Sequence, residues 1–99
     1  MKQTSRFLVP AAHPSLPGHF PGRPVVPGVL LLDEAFALIL RTREGARLAA
    51  IEHVKFAAPV MPDQEVMVEW NEIAPDRLDF ACFVAGRTIL RGRARLASS

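Results

Sequence analysis

Apolar positions along the chain follow two regimes. Between Val29 and Leu40 they are almost continuous, reading VLLLDEAFALIL, with only Asp33 and Glu34 interrupting. Leu, Ala and Glu favour helix. Pro27 near the first turn loses no hydrogen bond there, because its missing N–H would have had no partner. Arg41 and Arg43 stand where a helix C-terminus favours cations, and Gly45 is a natural stop. The pattern predicts a helix over Val29–Arg41. An ordinary surface helix keeps a polar stripe; this one is predicted to be buried on most of its circumference.

Elsewhere the period is two. Thr4–Val9 is a predicted strand with Phe7 and Val9 on one face, ended by Pro10. In Arg47–Ala57, Leu48, Ala50, Val54 and Phe56 share one alternation, and Pro59 and Pro62 make a bend. Val66, Val68 and Trp70 alternate with Met67, Glu69 and Asn71. Ala74-Pro75-Asp76-Arg77 is a turn. Leu78, Phe80, Cys82 and Val84 alternate again, Gly86 marks a tight hairpin, and Thr88–Ala97 completes the series. Short strands with regular turns predict an antiparallel meander of about five strands. With the buried helix this is an α+β arrangement, a sheet wrapped around one helix.

Ninety-nine residues are expected to form one domain, 1–99, which by itself buries only about two thirds of its unfolded surface. A hydrophobic content of 49% is high for that size and points to apolar surface covered by a second copy. The single cysteine, Cys82, leaves no internal disulfide and no thiolate metal site. No apolar stretch reads as a secretion signal or a membrane span, so a cytoplasmic protein is expected. Ten of the twelve basic residues are arginine, with a net charge of only +2. Arginine suits contact with anions, but no basic run with interleaved aromatics suggests nucleic acid. Arg91, Arg93 and Arg95 share one face of the last strand, as a solvated face or as a docking stripe for an acidic partner.

The segment HPSLPGHFPGRPVVPG, residues 13–28, concentrates proline and glycine but also holds Leu16, Phe20, Val25 and Val26. A disordered linker lacks such apolar residues, so an ordered loop is expected. His19 lies in its middle, flanked by glycines and prolines that fix direction and allow close approach. It is either a surface histidine or an aimed proton acceptor. Asp33 and Glu34 lie about 100° apart around the helix, so each needs its own environment. Both find solvent, or one sits in an apolar pocket, where a carboxyl holds its proton to higher pH. Free N–H groups near Gly28 at the helix start are suited to a carbonyl oxygen gaining charge. His13 reads as a loop hydrogen-bonder and His53 as a strand residue. No histidine spacing suggests a metal.

Gly18-His-Phe-Pro-Gly-Arg-Pro-Val-Val-Pro-Gly-Val-Leu-Leu-Leu-Asp33 resembles the hot-dog-fold dehydratases of fatty-acid synthesis, the β-hydroxydecanoyl and the broader 3-hydroxyacyl acyl-carrier-protein types. Their pattern is GHFPG, then P-V-x-P-G, then an acid on the central helix. The aspartate is similar to the first type; the second carries glutamate. Lys55-Phe-Ala-Ala-Pro-Val-Met-Pro-Asp63 resembles a second motif, K-F-x-x-P-V-x-P-G-D, without its glycine. Phe36-Ala37-Leu38 stands where the family carries a glutamine or Trp-Gln. The likeness runs over about Val9 to Ala97, and the short N-terminus is more like the small dehydratases of accessory acyl or aryl-polyene pathways.

The resemblance implies a dimer with sites shared between subunits. His19 of one chain would be the general base, and Asp33 of the other the acid acting on the 3-hydroxyl. The Gly28 N–H would bind the thioester oxygen, with Phe20, Pro27 and Val29 contacting substrate. It further implies an acyl carrier protein as partner and no metal or redox cofactor. A hot-dog thioesterase and a non-catalytic carrier-binding subunit of a heterodimer are the rival readings.

Overall fold

A computed structural model describes residues 2–13 and 25–98. Five strands and one helix run in the order β1 (Lys2–Leu8), α1 (Gly28–Arg41), β2 (Ala46–Phe56), β3 (Glu65–Ala74), β4 (Arg77–Val84) and β5 (Arg87–Ser98). All pairings are antiparallel, in the spatial order β1-β3-β4-β5-β2. The meander holds for β3, β4 and β5. β2 instead lies outside β5, so β1 and β2 form the two edges, and the helix touches both edge strands. The sheet therefore curls around α1.

One face of the sheet supplies the core. Val66, Val68 and Trp70 on β3, Leu78, Phe80 and Cys82 on β4, and Leu90, Ala94 and Leu96 on β5 are all buried. They meet Leu31, Ala35, Phe36 and Ile39 of α1. The Phe36 and Phe80 rings pack edge to face, with centroids 5.0 Å apart at 74°. Such a pair adds about 1 kcal/mol beyond its buried area. Gly92 makes room for this: a Cβ there would fall 2.9 Å from Phe80 Cζ, 3.0 Å from Val54 Cα and against the His53 carbonyl. The glycine thus lets the Phe80 ring and β2 close on β5.

One expectation changes at β2. Its register slips between Leu48 and Ala50 and again between Ile51 and His53. Each extra residue breaks the period of two, so the single alternation proposed for Leu48, Ala50, Val54 and Phe56 does not run through, and Phe56 ends 48% exposed. The helix also differs from expectation. Val29 is 68% exposed, and Asp33 and Ala37, on the same side at i+4 and i+8, are exposed with it. Within one chain the sheet covers only one side of α1, so burial around most of its circumference is not achieved. The hairpin at Gly86 (φ 81), with Ala85 also at positive φ, and the stop at Gly45 (φ 78) are as the sequence suggests.

Candidate active site

The N-terminus of α1 is uncapped among the described residues. Pro27, with φ −58° and ψ 141°, is the residue before the helix, and no side chain caps it. Its carbonyl accepts from Leu30 N–H at 3.0 Å and Leu31 N–H at 3.2 Å. The N–H groups of Gly28 and Val29 have no acceptor among the described residues. The Phe56 ring sits directly on Gly28: a Cβ at that glycine would lie 2.7 Å from Phe56 Cε1 and 2.8 Å from Cζ. Free donors at the positive end of the helix dipole are thus bordered by apolar Phe56 and Val29. Such donors suit an oxygen acquiring negative charge, and low-polarity walls strengthen the attraction.

Asp33 lies one turn along from Val29, on the same open side of the helix. It has no hydrogen bond or ion pair among the described residues, and neither has the half-buried Glu34. The apolar pocket contemplated for an acid on this helix is not built by one chain: the sheet packs on the opposite side of α1, and Asp33 faces solvent. The structure does separate the two acids, with Asp33 exposed beside the open N-terminus and Glu34 turned toward a flank.

His19 and Phe20 lie outside the described residues. The segments on either side of their loop are both fastened to one platform, residues 57–64. On one side Val26 N–H donates to the Val60 carbonyl at 2.8 Å, with both side chains buried. On the other, Asp63 N–H donates to the Val9 carbonyl at 2.8 Å, and Asp63 Oδ1 accepts from Ala11 N–H at 3.3 Å. The His13 amide then closes a turn onto the Pro10 carbonyl at 3.0 Å. Asp63 closes the second motif, whose glycine is absent here, and it holds φ 68°. Aspartate tolerates this left-handed conformation better than most residues, so a left-handed turn forms without the glycine, and the carboxylate holds Ala11. The platform and the Phe56–Gly28 contact escape sequence reasoning, because both join residues distant in the chain. The missing motif glycine before Asp63 is the one local signal that pointed there.

The other candidates lie elsewhere. His53 is on β2 opposite Arg93, on the face of the sheet away from the helix. Arg91, Arg93 and Arg95 point to that outer face, while Leu90, Gly92, Ala94 and Leu96 point inward. Cys82 is fully buried, and burial pushes its thiol up to about 12. Among the described residues no three His, Cys, Asp or Glu side chains gather to hold a metal ion.

One helix held in a curled antiparallel sheet of order β1-β3-β4-β5-β2 is the hot-dog fold. The same architecture recurs in the dehydratase heterocomplex ApeI:P from Xenorhabdus doucetiae, with a TM-score of 0.85 and 23% identity over 97% of this chain and 87% of that one. It recurs in the (R)-hydratase from A. caviae involved in PHA biosynthesis, with a TM-score of 0.78 and 21% identity over 100% and 95% of the two chains. At such identities the likeness is one of fold. In sequence, the 3-hydroxyacyl-acyl-carrier-protein dehydratase FabZ of Klebsiella pneumoniae is 32% identical over 68% of this chain and 54% of that protein. The chain spans about half the length of the curated relatives it matches. The profile of the ApeI-like family, described as ApeI dehydratase, matches residues 2–93. The chain belongs to the ApeI-like dehydratase family.

Proposed function

We propose that the protein reversibly dehydrates a 3-hydroxyacyl thioester to the trans-2-enoyl thioester, with the acyl group carried on the phosphopantetheine arm of an acyl carrier protein. The observation that carries this reading is the start of α1, uncapped among the described residues, where the Gly28 and Val29 N–H groups without a described acceptor lie beside Phe56 with Asp33 one turn away. The Gly28 N–H donates to the thioester oxygen, with Pro27 and Val29 beside it. His19 removes the C2 proton, and the electron pair left at C2 is shared with that oxygen. Asp33 of a second copy protonates the C3 hydroxyl, which leaves as water while the C2–C3 double bond forms. The exposed Val29–Asp33–Ala37 side of the helix supports a shared site, because a second copy would enclose the carboxyl that one chain leaves open. Each positioned acid or base contributes roughly 100- to 10,000-fold, and an oxyanion donor about 3 kcal/mol. The substrate loses only water, so the chemistry needs no metal or redox cofactor.

The fold match to a dehydratase heterocomplex favours one second reading, in which this chain works as one subunit of a heterodimer. We place the protein in the cytoplasm, where carrier-bound acyl chains are built; no helix among the described residues is long and apolar enough to cross a membrane. Intact mass spectrometry of a carrier protein loaded with a 3-hydroxyacyl group tests the assignment. Loss of one water on adding the protein is the expected result. Loss of the whole acyl chain would mark a thioesterase. An unchanged mass, with or without a candidate partner subunit, would overturn the catalytic reading.

A further inference from the structure

Two charges on α1 go unanswered by their own chain. Glu34 is half-buried and Arg41 is exposed, and neither has a hydrogen bond or ion pair among the described residues. Side chains on a helix meet three and four residues apart. For Glu34 those neighbours are Leu30, Leu31, Ala37 and Leu38; for Arg41, within the helix, they are Ala37 and Leu38. Leu30 and Leu38 are half-buried against the core, and Ala37 is exposed. An acid and a base therefore stand in one apolar stripe. Seven residues make two turns, about 10.5 Å of rise, so Glu34 and Arg41 point within about 20° of each other but lie too far apart to meet on one helix.

We propose that this stripe packs antiparallel on the same stripe of a second copy, Glu34 of each chain pairing with the partner subunit's Arg41. A two-fold axis turns the stripe end for end, so an acid two turns before a base complements itself. An unlike partner would need the reverse order of charges by coincidence, whereas a second copy has it by symmetry. The axis falls between Ala37 and Leu38. There a small side chain lets two helices approach to about 8–10 Å, within reach of long side chains on either side. The pairing rests on the shared-site reading and adds to it. Asp33 points about 80° away from Arg41. An arginine favours the charged form of a neighbouring carboxyl, so engaging Arg41 with Glu34 keeps it from the acid that must deliver a proton.

Sedimentation velocity and native mass spectrometry of the full chain test this. The parent should be a dimer. Glu34→Arg sets arginines against each other across the axis, and Arg41→Glu sets glutamates; each should weaken self-association about 100-fold or more. Arg41→Gln, which creates no like-charge pair, should weaken it less, in the same direction. An equal mixture of Glu34→Arg and Arg41→Glu chains should form mixed dimers in preference to either homodimer, because every contact then joins opposite charges. Both changes in one chain should restore the parent's dimer. Arg87→Glu, at the hairpin between β4 and β5, should leave association unchanged. A dimeric parent that both reversals leave intact, a mixture no better associated than its components, or equal weakening by Arg87→Glu would overturn the pairing and leave the shared site standing. A monomeric parent would overturn both.

Discussion

The two ends of α1 are built in opposite ways. At the C-terminus the chain satisfies itself: Thr42 N–H donates to the Ile39 carbonyl at 3.1 Å, Thr42 Oγ1 to the same carbonyl at 2.7 Å, and Arg43 N–H to the Leu40 carbonyl at 3.2 Å. Arg41 lies in the last turn, where the dipole favours a cation, and Arg43 pairs with Glu72. At the N-terminus no described side chain caps the helix, no acid lies in the first turn, and the Gly28 and Val29 N–H groups have no acceptor among the described residues, beside an exposed valine and a half-exposed phenylalanine. One end of the helix is finished by its own chain, while the other stays uncapped among the described residues.

That contrast breaks most sharply at Asp33. Asp33→Asn should lower kcat for a 3-hydroxyacyl thioester by about 100- to 10,000-fold, with a denaturation midpoint close to the parent's, since the side chain has no hydrogen bond or ion pair among the described residues. A large loss of stability would instead make Asp33 structural. Gly28→Val comes next. Its side chain would displace the Phe56 ring and misplace the donors, and steady-state kinetics should show a fall of about 10- to 100-fold.

At the finished end the outcome reverses. Thr42→Val removes the hydroxyl that bonds the Ile39 carbonyl and should cost about 1 kcal/mol in urea denaturation, with kcat unchanged. The effect that vanishes at neutral pH concerns the interior that both ends share. Because Cys82 holds its proton up to about 12 in the fold and releases it at a lower pH when unfolded, the unfolded chain binds fewer protons above its ordinary pKa. Stability should therefore be unaffected at neutral pH. It should fall by roughly 1 kcal/mol per pH unit on the alkaline side. Cys82→Ala should flatten that limb in denaturation curves measured from neutral pH to pH 10.

Legibility in the sequence followed the same divide. Val66, Val68 and Trp70, like Leu78, Phe80 and Cys82, read correctly because β3 and β4 are interior strands with one face on the helix, where a period of two is strictly enforced. β2 did not, because two bulges on an edge strand reset its alternation, and the side of the sheet it joins is a matter of chain crossing, not composition. The exposed side of α1 was invisible for a related reason. Val29 and Ala37 are apolar, and sequence alone does not say whether apolar surface is buried by its own chain or by another. The helix start was legible to within one residue from Pro27-Gly28, whereas the contact of Gly28 with Phe56 was not, since it joins residues from different elements. Asp63 kept a left-handed turn that a missing glycine seemed to put at risk.

The most direct test of a site shared between two chains is complementation. His19→Ala and Asp33→Asn proteins, each inactive alone, are unfolded together, refolded as an equal mixture and assayed for the conjugated enoyl thioester by its absorbance. In a mixed dimer one of the two sites regains both intact groups, so activity should return to about a quarter of the parent's when subunits pair at random. No recovery above the separate variants, in a mixture shown to contain mixed dimers, would contradict the account.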